Sequence, residues 1–104
     1  LLLRPARVWD GDGAPREGWA VLVRGGRIAA VGPAATLAAP AGARVRELPG
    51  TTLLPGLIDA HSHVLLHPYD ETSWDDQVLR EPLALRVARA VGHLEATLRA
   101  GFTT

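Results

Sequence analysis

The chain has 104 residues, 47% of them hydrophobic and 21% charged, which is typical of one small globular domain. Its 11 basic and 11 acidic residues balance, which argues against binding to nucleic acid or to an anionic membrane surface. Because it has no cysteine, disulfides, thiolate metal sites and thiol nucleophiles are excluded, and His, Asp and Glu remain as metal ligands. No apolar run is long enough to predict a membrane span.

Short β-type segments separated by turn residues fill residues 1–50. They are residues 6–9, 19–23, 28–31 and 44–48. Gly25-Gly26 separates two of them and predicts a β-hairpin, because a type I′ turn requires positive φ angles at both central positions. A unit of about 50 residues is marginally stable alone, so we expect this β layer to pack on something larger.

The residues after Gly50 predict a strand, a loop, a helix and the start of another strand. Residues 51–54 and 57–64 are expected to form buried strands interrupted at Pro55-Gly56, and residues 67–81 a polar loop. A helix is predicted from Pro82 to Ala100, ending before Gly101, because apolar residues recur there every three or four positions. These residues are Leu83, Val87, Val91, Leu94 and Leu98. Such a βα unit is the repeat of a parallel sheet or barrel.

Two histidines stand at the end of the second predicted strand, in the sequence DAHSH. Side chains alternate along a strand, so His61, His63 and Asp59 are expected on one face. The two Cα atoms would lie about 6.5 Å apart, close enough for both imidazoles to bind one metal ion. The spacing alone leaves a second interpretation open, a pair of surface or hydrogen-bonded histidines without metal.

The remaining polar candidates lie in the loop and the helix. His67 and Tyr69 follow the first βα strand, where loops often contact substrate, although a solvated loop is the alternative. Asp75 and Asp76 are expected to favour a short helical turn or a helix N-terminus. His93 lies off the apolar face of the predicted helix, so a surface position is expected.

The segment LLPGLIDAHSH resembles the first barrel strand of the amidohydrolase superfamily, which ends in His-x-His. RVWDGDG and VLVRGGRIAAVG are similar to the small β-sandwich beside the barrel of these enzymes, and LRAGFTT resembles their passage from helix 1 to strand 2. Within the superfamily, the chain most resembles the branch of imidazolonepropionase and of Xaa-Pro or Xaa-Arg dipeptidases. The resemblance implies an α/β fold in which residues 1–50 are a β-sandwich portion and residues 51–104 begin a (β/α)8 barrel.

The same resemblance implies a metal-dependent enzyme that hydrolyses an amide or peptide C–N bond with metal-activated water. His61 and His63 would bind Zn²⁺, as one or two divalent ions, and Asp59 would be a supporting carboxylate. The family completes its site with a lysine, two more histidines and an aspartate from later strands, and this chain has no lysine. We therefore expect an N-terminal fragment of a longer enzyme, inactive alone.

The expected partner is a small-molecule or dipeptide-like amide substrate, and homo-oligomer formation is compatible with the sequence. Localisation is left open, with the cytoplasm slightly favoured. Two other classes of protein stay open: a noncatalytic binding or assembly module with the amidohydrolase fold, and a small metal-binding β-plus-helix protein that folds with zinc. The latter would leave strand edges and the apolar helix face without neighbours.

Overall fold

The computed structural model describes residues 1–104, which form two compact units, Leu1–Pro55 and Gly56–Thr104. The first unit is a five-stranded mixed sheet of β1 (Leu2–Val8), β2 (Arg16–Glu17), β3 (Trp19–Arg24), β4 (Arg27–Pro33) and β5 (Val45–Leu53). β1 pairs antiparallel with β2 and β3 and parallel with β5, and β3 pairs antiparallel with β4. The boundary predicted at residue 50 falls inside β5, because the pairing with β1 continues to Leu53.

The hairpin between β3 and β4 turns at Gly25-Gly26, which confirms the predicted element. The two glycines have φ angles of 56° and 73°, and Arg24 pairs with Arg27 across the turn. Glycine adopts such angles without steric cost because it has no Cβ atom. The turn thus sets the register of the two strands.

The core of the sheet is small and apolar. Leu2 and Ala20 are fully buried, and Val8 and Val21 are nearly so. All five strands belong to one sheet, so the predicted β-sandwich portion is a single layer within residues 1–55.

β5 bulges in its middle, opposite β1. Pro5 pairs with Leu48 and Arg7 pairs with Thr52, so three residues of β5 lie opposite one of β1. Pro49 has no N–H for the ladder and Gly50 has a φ of 72°, which together account for the irregularity.

The second unit departs from the prediction at residues 57–64, which do not form a regular strand. Leu57 makes one parallel bridge to Phe102, supported by hydrogen bonds from Leu57 N–H to Gly101 O at 2.8 Å and from Thr103 N–H to Leu57 O at 2.9 Å. Asp59 N–H donates to Thr104 O at 2.8 Å. Beyond Asp59 no neighbouring strand pairs with the backbone, so the extended conformation is not held and the segment is exposed.

The predicted helix is confirmed as α1 (Leu83–Arg99), with Pro82 just before it and Gly101, at a φ of 98°, just after it. Its predicted apolar positions are exposed, whereas Ala90 is buried and residues 86, 89, 93 and 97 are half-buried. Part of the predicted loop is also helical: a π-helix spans Asp76–Arg80. Ser73, three residues before the π-helix, accepts a hydrogen bond at its Oγ from Asp76 N–H and donates one to the Asp76 carboxylate, which holds the first residue of the helix.

Candidate functional site

The side chains of His61 and His63 converge. Their Nε2 atoms lie 2.6 Å apart and their ring centroids 4.7 Å apart. Both residues are exposed, so the pair lies at the surface of the second unit. The strand geometry from which the convergence was predicted is absent, and the two rings come together in an irregular segment with a bend at Ala60 and His61.

Asp59 holds the bend at Ala60 and His61. Its Oδ1 accepts a hydrogen bond from the backbone N–H of His61 at 3.2 Å, the pattern of an Asx turn. The carboxylate therefore contacts the backbone of the first histidine, and its role as a supporting carboxylate of a metal site stays a prediction.

Two ring nitrogens at this separation require a positive charge or a proton between them. A neutral imidazole has one N–H and one bare nitrogen, so either one ring donates to the other or both lone pairs bind a cation. Imidazole nitrogens are common ligands of zinc and of other divalent transition metals. The donor types thus suit a metal ion, and the two nitrogens, which lie at hydrogen-bond distance, would separate to hold one. No cluster of three or more His, Cys, Asp or Glu side chains forms a complete site within the 104 residues.

His67 lies inside a network of charged residues. Its Nε2 lies 3.3 Å from Glu81 Oε1, and its Nδ1 lies 3.4 Å from Glu71 Oε2. Arg89 donates to both oxygens of Glu81, at 2.8 and 3.1 Å. The three side chains of His67, Glu81 and Arg89 are 12%, 18% and 25% exposed, so the network connects the loop to α1 in a largely shielded position.

The network shifts the ionisation of its members. The hydrogen bond from Arg89 holds the pKa of Glu81 below its ordinary value. Burial acts to raise this pKa, and the hydrogen bond with His67 acts to lower it. Glu81 in turn raises the pKa of Arg89 above its ordinary value. Both groups are therefore held in their charged forms.

Gln77, which the sequence pattern does not single out, is the central buried polar residue of this unit. It is fully buried, and its amide Nε2 donates to the carbonyl oxygens of His67 and Thr72 at 3.0 and 2.8 Å. Its Oε1 accepts from His67 N–H at 2.8 Å. The amide side chain of Gln77 thus satisfies backbone N–H and carbonyl groups of the predicted substrate loop.

His93 is half-buried, so the predicted surface position is wrong. Its Nδ1 lies 2.9 Å from the backbone oxygen of Val64. The histidine is the donor in this hydrogen bond, because a carbonyl oxygen can only accept. This contact attaches α1 to the segment that follows His63. The apolar periodicity of the helix predicted the wrong position for His93, because the apolar face of α1 is exposed and the opposite face is the one that packs within the second unit.

A cleft of about 480 Å³ brings the predicted residues together. Its lining includes His63 of the histidine pair and the two predicted substrate-loop residues, His67 and Tyr69. His93 of α1 lines it as well. His67 is mainly engaged in the charge network, whereas Tyr69 is 57% exposed.

No helix of the structure has the length and apolarity needed to cross a bilayer.

Comparison with known proteins identifies relatives of the chain. Residues 20–39 match the family model described as the imidazolonepropionase-like composite domain of bacteria. Imidazolonepropionase of Ralstonia nicotianae is 42% identical over 94 residues, covering 88% of this chain and 22% of that protein. The Deinococcus radiodurans imidazolonepropionase is 37% identical over 84 residues, covering 81% and 20%. Allantoinase of Streptomyces avermitilis is 45% identical over 64 residues, covering 62% and 14%.

These relatives are hydrolytic enzymes that act on amide or other C–N bonds. The relatives belong to the amidohydrolase superfamily, which confirms the resemblance inferred from the sequence of the chain. Among the relatives, imidazolonepropionases align with more than four fifths of it. The chain spans about a fifth of the length of these imidazolonepropionases.

Proposed function

We propose that these residues are the N-terminal part of a metal-dependent amidohydrolase that hydrolyses an amide C–N bond of a small molecule. The observation that carries the proposal is the convergence of His61 and His63 at 2.6 Å in a chain related to amidohydrolases. Zinc is the metal we propose, and the number of ions, one or two, is set by ligands outside this chain.

His61 and His63 would hold the metal through their Nε2 atoms, and the metal would supply an activated water and polarise the substrate carbonyl. The part of this chain is to orient the two imidazoles. Asp59 contributes by fixing the backbone turn through its bond to His61 N–H. Since a catalytic zinc commonly has three protein ligands, at least one more would come from elsewhere in the protein.

The proposed architecture is one sheet of a β-sandwich, formed within residues 1–55, followed by the start of a (β/α)8 barrel in residues 56–104. The parallel bridge between Leu57 and Phe102, with α1 between them in sequence, supports the barrel because strand, helix and parallel strand is its repeating unit. In such barrels active sites lie at the carboxyl ends of the strands, and the histidine pair follows Leu57 and Asp59 there.

The cleft beside His63 supports a role in substrate binding for the loop. Tyr69 and His67 line it together with His63, so a substrate whose amide lies at the metal would extend along these side chains. We propose Tyr69 as the direct contact, because His67 is hydrogen-bonded within the charge network.

The proposal is tested by metal analysis of the full-length natural protein and of three single variants. We expect His61→Asn and His63→Asn to lose most bound zinc and to lower amide hydrolysis by at least about 100-fold, the scale expected when the metal that activates water is lost. Asp70→Asn is the control, since it changes an exposed carboxylate of the same unit and should retain zinc.

Two results would contradict the proposal. One is a full-length protein that is folded and binds no divalent metal under conditions that load other zinc enzymes. The other is unchanged zinc content in both His61→Asn and His63→Asn, because the metal would then be bound by other residues.

A further inference from the structure

His67 faces a carboxylate at each of its two ring nitrogens. Its Nδ1 lies 3.4 Å from Glu71 Oε2, and its Nε2 lies 3.3 Å from Glu81 Oε1. An ionised carboxylate can only accept hydrogen bonds, and a neutral imidazole has a single N–H. Both contacts are therefore satisfied together only when both ring nitrogens carry a proton, which is the imidazolium form.

The two carboxylates are held to different degrees. Glu81 is 18% exposed and accepts two hydrogen bonds from Arg89. Glu71 is 65% exposed and forms its ion pair with His67 alone. This exposed carboxylate loses little when it leaves the imidazole, because water can take the place of the ring N–H. Loss of one ring proton to water therefore leaves the contact of His67 with Glu81 and releases Glu71.

The contact between His67 and Glu71 spans the turn that carries Tyr69. In this turn, the backbone N–H groups of Glu71 and Thr72 donate to Pro68 O at 3.1 and 3.3 Å. The two bonds share one acceptor and the second is long, so the backbone alone holds the turn weakly. The ion pair adds a side-chain contact across the same residues.

We infer that His67 is a pH-sensitive bridge, whose imidazolium form binds Glu71 and Glu81 together and whose neutral form releases Glu71. The turn that carries Tyr69 is therefore better ordered when His67 is charged. Histidine suits this role because it is the side chain that ordinarily changes charge between about pH 5 and 8. The bridge itself involves no metal ion, whereas its effect on substrate binding rests on the proposed function, in which Tyr69 contacts the substrate.

Other titratable side chains border His67, and none of them forms a hydrogen bond with its ring. Those that line the same cleft are His63, Tyr69 and His93. His63 is engaged with His61, and His93 with the backbone of Val64. On the side of α1, Arg89 binds Glu81 and not the imidazole. The two carboxylates are therefore the groups that respond directly to the charge of the ring.

The experiment measures hydrogen exchange of the full-length protein by mass spectrometry, in the peptide that covers residues 69–74. Protection is determined at about pH 5.5 and about pH 8, near the two ends of the histidine range, relative to the intrinsic exchange rate at each pH. We expect protection to be about threefold higher at the lower pH. A threefold change corresponds to about 0.7 kcal/mol, which lies within the range of a partly exposed ion pair.

Two variants remove the bridge in different ways. His67→Gln has no titrating ring, and Glu71→Gln keeps the ring but removes the exposed carboxylate, so both should lose the difference between the two pH values. Asp70→Asn is the matched control, since it changes the adjacent exposed carboxylate and should keep the difference. Because Glu71 is exposed, its substitution should leave the fold intact. The inference is overturned if the natural protein shows no difference with pH, or if the difference persists in either variant.

Zinc content, measured on the same samples, separates this inference from the proposed function. A pH difference that requires Glu71, in a protein that binds no zinc, supports the bridge and contradicts the proposed function. Absence of the pH difference in a protein that binds zinc through His61 and His63 overturns the bridge alone.

Discussion

At the scale of single residues, the buried amide of Gln77 holds the loop through three hydrogen bonds to backbone groups of His67 and Thr72. The loop has no ladder or helical partner for these groups, so without Gln77 they would be buried and unpaired. The geometry of His67 therefore depends on a residue ten positions away.

We expect Gln77→Met to lower the free energy of unfolding by about 2–4 kcal/mol, because several buried polar groups lose their partners while the volume is nearly kept. Urea unfolding of the full-length protein measures the effect. Leu79→Met is the control, since Leu79 is 74% exposed in the same π-helix and its substitution should change stability little. Equal losses of stability in Gln77→Met and Leu79→Met would show that the hydrogen bonds of the Gln77 amide do not cause the effect.

Gly56 has a different constraint, since the side chain of Thr103 occupies the space where a Cβ atom would lie. Gly56→Ala should lower the free energy of unfolding by about 1–3 kcal/mol through this overlap. Gly92→Ala is the matched control: nothing lies within 4 Å of its added Cβ. In the interior of α1 this second substitution should raise stability by about 0.5–1 kcal/mol. The measurement is urea unfolding, and a neutral or stabilising Gly56→Ala would contradict the close approach.

Some of the site can be predicted from residue types and some cannot. The spacing of His61 and His63 predicted that they meet on a strand face; they do meet, but in an irregular segment that the spacing does not predict. The roles of Gln77 and His93 depend on contacts with residues 5–29 positions away, which no local pattern encodes.

At the scale of elements, Glu81 connects the end of the π-helix region to both the loop and α1, through His67 and Arg89. Its carboxylate is held charged, chiefly by the hydrogen bond from Arg89. Because its pKa in the folded chain lies below the ordinary value of 4.5, the charged group stabilises the fold above that pH.

This contribution should disappear on acidification, as the pH falls below 4.5 and through the lower pKa of the folded state. We expect Glu81→Gln to be less stable than the natural protein at pH 7, and the difference to shrink towards pH 3. Urea unfolding at a series of pH values measures it. Glu95→Gln is the control, because the Glu95–Arg99 pair is exposed and contributes little. If the stability difference between the two proteins does not change with pH, Glu81 stabilises the fold through packing and not through its charge.

Elements with local signals agree with the sequence prediction, and those that depend on distant partners do not. The Gly25-Gly26 hairpin and α1 are specified by nearby turn and capping residues. The strand predicted over residues 57–64 fails after Asp59 because strand formation requires a paired neighbour. The short helix at Asp76–Arg80 was predicted only through Asp75 and Asp76, which were expected at a short helical turn or a helix N-terminus, because its apolar pattern is too short to show periodicity.

At the scale of the whole molecule, our proposal assigns two imidazole ligands, His61 and His63, to this chain and the remaining ligands to the rest of the protein. It spans about a fifth of the related imidazolonepropionases, so the complete site belongs to the longer protein in our proposal. The exposed apolar positions of α1 agree with this view, since five of them are at least half exposed in the 104 residues. Burial of that face would contribute about 25 cal/mol per Å² of apolar area.

The most direct measurement of the central claim is an anomalous difference map of the full-length protein, collected at the zinc absorption edge. Our account predicts a peak about 2.0–2.1 Å from the Nε2 atoms of both His61 and His63, which would then separate to accept the ion. A map with no peak at this pair, and the two rings still hydrogen-bonded to each other, would contradict the account.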